Sequence, residues 1–190
     1  MKKRTRKIIG FSVVIIVLLS LVTLLFFVNP EELVRKIGVR NEYILAFVVS
    51  FFGGFSAGGS FSFIGLLITL VAGGLHPISL GVIAGISLAI GDTLMFYIGS
   101  QGRQLVEGDW DKKIAKIAKI FEKRAWLKKL TPLIAYLYMG FLPLPNDILI
   151  LFLAAIKYPP RKMNCIIIAG DITFALMITL LAAKGITLFA

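Results

Sequence analysis

The stretch that decides the fold is residues 131–156, TPLIAYLYMGFLPLPNDILILFLAAI, an apolar run broken in its middle by PLPND at 143–147. Proline lacks a backbone N–H and disfavours helix in the residue before it, so we expect an extended break between two short helices. A second apolar run, Ile44–Leu75, is interrupted by GG at 53–54 and again at 58–59. Paired, broken apolar segments in the two halves of a membrane protein indicate a transport site built from discontinuous helices.

The composition is that of a membrane protein. The chain of 190 residues is 58% hydrophobic and has a mean hydropathy of +0.90. In soluble domains the apolar fraction is usually about 45–50%. A net charge of +11 would suit a nucleic-acid binder, but the basic residues flank apolar runs, where Lys and Arg set topology and contact anionic lipid. We therefore expect membrane lipids as partners, anionic at the cytoplasmic face, and no nucleic acid.

The N-terminal region predicts a membrane anchor. The uncharged run Ile8–Val28 is long enough for the about 20 residues that cross a bilayer. Its exit, FVNP at 27–30, lacks the small-residue pattern of a cleavage site, which argues against a cleaved signal peptide. The leader before it is basic, so the N-terminus should be cytoplasmic; its charged residues are Lys2, Lys3, Arg4, Arg6 and Lys7.

Charge placement predicts how the first broken run enters the membrane. As one straight helix Ile44–Leu75 would extend roughly 48 Å, too long for one ordinary span and too short for two spans with a turn. If it crossed once, the next span, about Ile78–Ser100, would deliver the basic segment Arg103–Lys129 outside. A re-entrant hairpin instead places that segment inside, as the positive-inside rule requires. The hairpin tip would have to lie in protein or line a wet cavity.

The same argument makes the second run a re-entrant hairpin entered from the cytoplasm, since basic residues follow it from Lys157 onward. A final span at about Asn164–Ala183 then takes the C-terminus outside. The predicted fold is an all-α polytopic membrane protein of the cell (inner) membrane. It has an N-terminal anchor and an inverted repeat of two re-entrant hairpins, each followed by a transmembrane helix. Of the residues that correspond between the halves, Pro77 and Pro159 carry most weight.

The predicted segments are 1–43, comprising the leader, anchor and external loop, and 44–100, comprising the first hairpin and span. A basic cytoplasmic connector occupies 101–130, and the second hairpin and span occupy 131–190, so that 44–190 is one membrane domain. Asp109–Lys123 of the connector is predicted to be an amphipathic helix. It either lies on the inner leaflet, gathers anionic lipid toward the site or packs on the core. Its membrane-facing and basic residues are Trp110, Lys112, Lys116, Lys119, Phe121 and Lys123.

Three acidic residues, Asp92, Asp147 and Asp171, fall within apolar runs. An ionised Asp at mid-bilayer costs about 2.5–3.5 kcal/mol, so each should face a cavity, a partner or a proton. One hypothesis is a proton or transport path formed by these acids and Asn146. In the alternative, Asp92 and Asp171 bond polar neighbours or hairpin backbone and hold the two repeats together.

The hairpin breaks supply further candidate residues. Asn146 and Asp147 are expected to cap the second arm of their hairpin, whose positive helix end would face an anionic group. The residues assigned to the two breaks are Gly53, Gly54, Gly58, Gly59, Ser60, Ser62, Pro143 and Pro145.

Metal and enzyme chemistry are not indicated. Cys165 and His76 are the only cysteine and histidine and lie far apart in sequence. We expect Cys165 to be a small buried residue and His76 to lie in an interfacial loop. Neither a Ser-His-Asp set nor a phosphate-binding glycine fingerprint is present, so no cofactor and no enzymatic activity are expected.

Small residues and prolines recur through both halves of the chain in a recognisable order and spacing. They are Ala72-Gly73-Gly74, Gly85, Gly91-Asp92, Tyr97-Ile98-Gly99 and Gly102, then Pro143, Pro145, Ala154-Ala155 and Gly170 after a basic connector. In these residues the chain resembles the DedA family, also called the VTT or SNARE-associated Golgi protein family, over about residues 47–185. The resemblance implies opposed re-entrant hairpins and lipid translocation, of polyprenyl phosphate carriers in bacteria or of phospholipids in relatives.

The chain also departs from the family. Many bacterial members have an acidic residue and prolines in the first hairpin, where this chain has SFSF at 60–63. They carry arginines beside the second-hairpin proline, where this chain has Gly140 and Asn146. We therefore expect a divergent member with another headgroup, or a weakly selective scramblase.

The leading functional hypothesis is a lipid translocator, a flippase or scramblase with or without proton coupling, whose hairpin tips meet near the midplane. One alternative is a proton-coupled exporter of small solutes or drugs. Another is a non-transporting scaffold that uses the connector as its partner surface. Self-association into a homo-oligomer is left open.

Overall fold

The computed structural model describes residues 42–53, 59–102 and 125–189. Apart from Glu42, these residues belong to one compact unit, Tyr43–Ala190. The predicted anchor, the centre of the first break and the predicted amphipathic connector lie outside the described residues, so those assignments stay predictions.

Within the described ranges the chain is entirely helical between its turns, which confirms the all-α class. Each broken apolar run forms two helices separated by its predicted interruption, and one long helix follows each pair. The helices are α1 Glu42–Gly53, α2 Gly59–Ala72, α3 Pro77–Gly102, α4 Ala125–Phe141, α5 Asn146–Ala155 and α6 Pro160–Phe189.

Two of these helices are long and apolar enough to cross a membrane. They are Pro77–Gln101 in α3 and Pro160–Ile186 in α6, with 25 and 27 residues. At about 1.5 Å per residue they extend roughly 37 and 40 Å, more than the hydrocarbon thickness of about 30 Å. By contrast α1 and α5, with 12 and 10 residues, extend only about 15–18 Å, so neither can cross alone.

The outer faces of both long helices are apolar. The spans are only 50% and 39% buried, unlike the core helix of a soluble protein. Continuous exposed apolar faces of this kind are typical of helices that contact lipid. Their exposed residues include Ile86, Ile90, Leu94 and Tyr97 on α3, spaced at about one helical turn, and Ile168, Leu180 and Leu181 on α6.

The two long helices run antiparallel and form the centre of the fold. Gly81 of α3 faces Leu176 of α6, and one turn later Gly85 faces Ile172. A Cβ atom added at Gly85 would lie 2.6 Å from the Cα of Ile172, against an optimal carbon separation of about 3.5–4.0 Å. The glycines therefore let the two backbones touch, as small residues do between helices in membranes.

Each half of the chain places a short helix on the long helix of the other half. The rings of Phe63 in α2 and Phe174 in α6 are stacked, with centroids 6.2 Å apart. In the reciprocal contact Leu151 of α5 lies against Gly99 of α3. In lipid such contacts stabilise the fold by close packing rather than by removing apolar surface from water.

The helices α2 and α5 end in the same turn. Each has one residue with left-handed backbone, φ 96° at Gly74 and 60° at Lys157. In each turn that residue and the next donate their N–H groups to carbonyls three and five residues earlier, which is the Schellman arrangement. A proline then begins the long helix, at Pro77 or Pro160, where its missing N–H is not needed. The structural counterpart of Pro77 is thus Pro160, and the predicted match with Pro159 is wrong by one residue.

Candidate functional site

The second break occupies residues 142–145, and helix resumes at Asn146. The Tyr138 hydroxyl donates a 3.2 Å hydrogen bond to the carbonyl of Pro145, which ties the break back to α4. Pro145 takes the N-cap position, and no side chain caps α5. The prediction that Asn146 and Asp147 cap this helix is therefore wrong, because both lie within its first turn and the Asn146 amide is engaged elsewhere.

The side chain of Asn146 lies between the two long helices. Its Nδ2 donates to Oδ2 of Asp92 on α3 and to Oδ1 of Asp171 on α6, each over 3.1 Å. The two acids are 1% and 0% exposed. An Asn amide has two N–H donors, so both are used here. We call Asp92, Asn146 and Asp171 the polar clamp, because Asn146, the first residue of α5, links both long helices.

The polar clamp leaves two acceptors without donors. Asp92 Oδ1 and Asp171 Oδ2 are buried and receive no hydrogen bond from the described part of the chain. An ionised carboxylate can only accept hydrogen bonds, so each of these two oxygens could take a further donor or a proton.

A small cavity lies beside the polar clamp, where residues from both breaks meet. About 10 Å³ is open to the centre of a water molecule, which is room for about one water. Asp147 of α5 lines this cavity, and the residue is only 9% exposed. The lining residues are Gly53, Phe63, Leu88, Asp92, Leu144, Asn146, Asp147 and Phe174.

The two breaks contribute different chemistry to this cavity. When α2 and α5 are aligned through the equivalent turns that follow them, Phe63 corresponds to Asn146. Phe63 stacks on Phe174 of α6, whereas Asn146 holds two carboxyl groups. The first half therefore presents an aromatic ring where the second half presents an amide.

All four residues of the predicted path come together. Asp92, Asn146 and Asp171 form the polar clamp, and Asp147 lines the same cavity as Asp92 and Asn146. Asp171 belongs to the polar clamp but is not among the residues that line the cavity. The hydrogen bonds from Asn146 fit the interpretation in which the acids hold the two halves together. That interpretation does not explain why Asp92 Oδ1 and Asp171 Oδ2 have no donor in the described chain.

The residues assigned to the breaks are partly described. Gly53 ends α1 and lines the cavity, Pro143 and Pro145 lie in the second break, and Gly59 begins α2. Outside the described residues or side chains lie Gly54, Gly58, Ser60, Ser62, Trp110, Lys112, Lys116, Lys119, Phe121 and Lys123.

Sequence reasoning missed the apolar part of the site. Phe63 and Phe174 carry no signal within uniformly apolar helices. Leu88 lies one helical turn before Asp92, so helical spacing could have identified it. Cys165, expected to be buried, is exposed, because it lies on the outer side of α6, one turn before the exposed Ile168.

The remaining candidate positions add no second site. His76 is exposed in the turn before α3, and its Nδ1 lies 3.4 Å from the backbone nitrogen of Ser79, so the imidazole caps that helix. Among the described residues, no group of acidic, histidine and cysteine side chains could hold a metal ion.

No protein-family model, curated protein or solved structure matches the chain. The function must therefore be argued from the chemistry of the site.

Proposed function

We propose that this protein is a membrane lipid translocator, a flippase or scramblase of the DedA/VTT type, in which two re-entrant hairpins of an inverted repeat meet at the cavity. Each half pairs two short helices with one helix long enough to span a bilayer. A helix break is tolerated at membrane depth only where protein or a wet cavity surrounds it. The reciprocal contacts α2 on α6 and α5 on α3 support such a repeat.

The observation that carries the proposal is the polar clamp beside the cavity. Acidic residues inside a bilayer are expensive, and those that occur line substrate or ion pathways or pair with each other. A fold that only had to hold helices together could use apolar packing, as it does at Gly85. Releasing Asn146 from Asp92 and Asp171 would free the N-terminal end of α5 from both spans. This is the local change that opening of the site toward one face requires.

The proposed topology has a cytoplasmic N-terminus, a cytoplasmic connector and an external C-terminus in the cell membrane. Because α3 and α6 are antiparallel, the end of α3 and the start of α6 lie at the same face. The first of these leads into the basic connector, and the second carries exposed Arg161 and Lys162. The positive-inside rule assigns that shared face to the cytoplasm.

The test is lipid movement in vesicles that contain the purified full-length protein. Phospholipids labelled on an acyl chain are distributed over both leaflets, and a membrane-impermeant reductant then reports the outer fraction with time. We expect the protein to accelerate exchange and Asp147→Asn to slow it at least tenfold. Glu42→Gln, which removes an acidic residue that does not line the cavity, should leave the rate unchanged. Folded protein that moves no lipid class would refute the proposal.

A proton-coupled exporter of small cationic solutes is the second candidate. It is favoured by the ionisable groups that the described residues bring to the cavity lining, which are carboxyl groups. Efflux of a cationic dye that follows an imposed pH gradient, without any movement of lipid, would select this function over lipid translocation.

A further inference from the structure

Three residues that line the cavity offer hydrogen-bond acceptors for which the described part of the chain supplies no donor. Asp92 Oδ1 is buried without a partner in the described chain. Asp147 makes no hydrogen bond with a described residue, although it is nine-tenths buried. Asn146 directs its nitrogen to the two acids, so its oxygen remains available as an acceptor. A ligand that bridged these groups would have to be a donor with several N–H or O–H groups.

The remaining walls are suited to a cation. Phe63 and Phe174, whose rings stack on each other, both line the cavity, and aromatic ring faces attract ammonium groups. Among the described residues that line it, none is Lys, Arg or His. An anionic phosphate would therefore meet carboxyl groups without a compensating positive charge, whereas a cation would offset them.

We propose that this cavity binds a primary ammonium group, carried by a lipid headgroup or by a free amine; the lipid form rests on the proposed function. A primary ammonium has three N–H donors, which match the acceptors of Asp92, Asn146 and Asp147. The volume of about one water molecule holds the ammonium end alone.

Protons compete with this ligand. A protonated carboxyl group is a donor, so binding should weaken when the pH is lowered. In the described part of the chain, the ionisable groups near the site are Asp92 on α3, Asp147 on α5 and Asp171 on α6. The nearby tyrosines of α4 are already bonded, Tyr136 to Thr173 and Tyr138 to Pro145. The described side chains of α1 and α2 add no ionisable group to the lining.

Binding is tested on the full-length protein in detergent by thermal unfolding with methylammonium chloride. Tetramethylammonium chloride, which has no N–H donor, and sodium chloride serve as controls at equal ionic strength. We expect methylammonium to raise the unfolding temperature most.

Asp147→Asn should weaken its apparent affinity at least tenfold. Because Asp147 makes no hydrogen bond with the described residues, this variant should fold normally. Glu42→Gln should bind as wild type. Equal effects of the three salts, or unchanged affinity in Asp147→Asn, would overturn the proposal.

Vesicles distinguish the two sources of the ammonium group. Acyl-labelled phosphatidylethanolamine carries a primary ammonium and acyl-labelled phosphatidylglycerol does not; the headgroup must stay unlabelled because labelling would consume the amine. An impermeant amine reagent reports ethanolamine headgroups in the outer leaflet. We expect the amine lipid to move at least tenfold faster and methylammonium to inhibit it.

The failures separate the two proposals. Equal rates for both lipids, without inhibition by methylammonium, would overturn the ammonium site and leave the translocator intact. Saturable methylammonium binding that depends on Asp147, with no lipid moved, would refute the translocator and support the site with a free amine as its ligand.

Discussion

Replacing Gly85 by alanine is a direct test of the contact between the two long helices. The added Cβ would lie 2.6 Å from the Cα of Ile172 and 3.0 Å from the carbonyl oxygen of Asp171. Carbon atoms pack best at about 3.5–4.0 Å, so α3 and α6 must separate by about 1 Å. The nearest atoms belong to the backbone, and no side-chain rotation can relieve the overlap.

The expected loss of stability is best stated as a difference between Gly85→Ala and a matched control. Overpacking of this kind costs about 1–3 kcal/mol, while alanine in a helix is favoured over glycine by about 0.5–1 kcal/mol. Gly65 of α2 is exposed, and a Cβ there would meet nothing within 4 Å, so Gly65→Ala gains only the helix preference. We therefore expect Gly85→Ala to be less stable than Gly65→Ala by about 1–3 kcal/mol.

The assay is reversible unfolding in mixed micelles, followed by helical circular dichroism, with lipid movement measured in parallel. Asp171 precedes Ile172, so helix separation should lengthen its 3.1 Å bond from Asn146 and alter the transport rate. If Gly85→Ala were as stable as Gly65→Ala, the close approach of the two helices would not exist as described.

Asn146→Leu should lower stability by at least about 2 kcal/mol in the same assay, because it leaves buried oxygens of Asp92 and Asp171 without a donor; wild-type stability would show that the polar clamp does not form. At the two equivalent turns, after α2 and after α5, we expect substitutions to change the free energy of unfolding in opposite directions. Gly74→Ala should destabilise by about 1–2 kcal/mol because φ is 96° there. Lys157→Gly should stabilise by up to about 1 kcal/mol, because glycine removes the strain of a side chain at φ 60°. If both substitutions changed stability in the same direction, the two turns would not share one conformation.

The helices could be predicted because their signals are local. Uninterrupted apolar length identifies α3 and α6, whose described bounds lie within a few residues of the predicted spans. Proline and glycine mark the two breaks through their own backbone restrictions and freedoms. Charge placement predicts a direction for each span, and this prediction depends on the basic residues alone.

The partners of the polar residues could not be predicted. Whether Asn146 caps its own helix or reaches across to α3 and α6 depends on the distance between helices, which a single sequence does not encode locally. The turn after α5 shows a second limit. Its left-handed residue is Lys157, and lysine gives no sign of that conformation, whereas Gly74 does in the equivalent turn. The match between the two prolines was therefore misplaced by one residue.

The alignment of the two halves through their equivalent turns shows that the polar clamp has an apolar counterpart. The offset that relates Asn146 to Phe63 relates Asp171 to Leu88 and Asp92 to Ala175. Phe63, Leu88 and Ala175 belong to one buried apolar cluster. One half therefore uses apolar packing where the other uses polar groups and leaves Asp92 Oδ1 and Asp171 Oδ2 without a donor in the described chain. Because Phe63 and Asp92 line the same cavity, this asymmetry brings an aromatic ring and a carboxyl group together there, a combination that favours a cation.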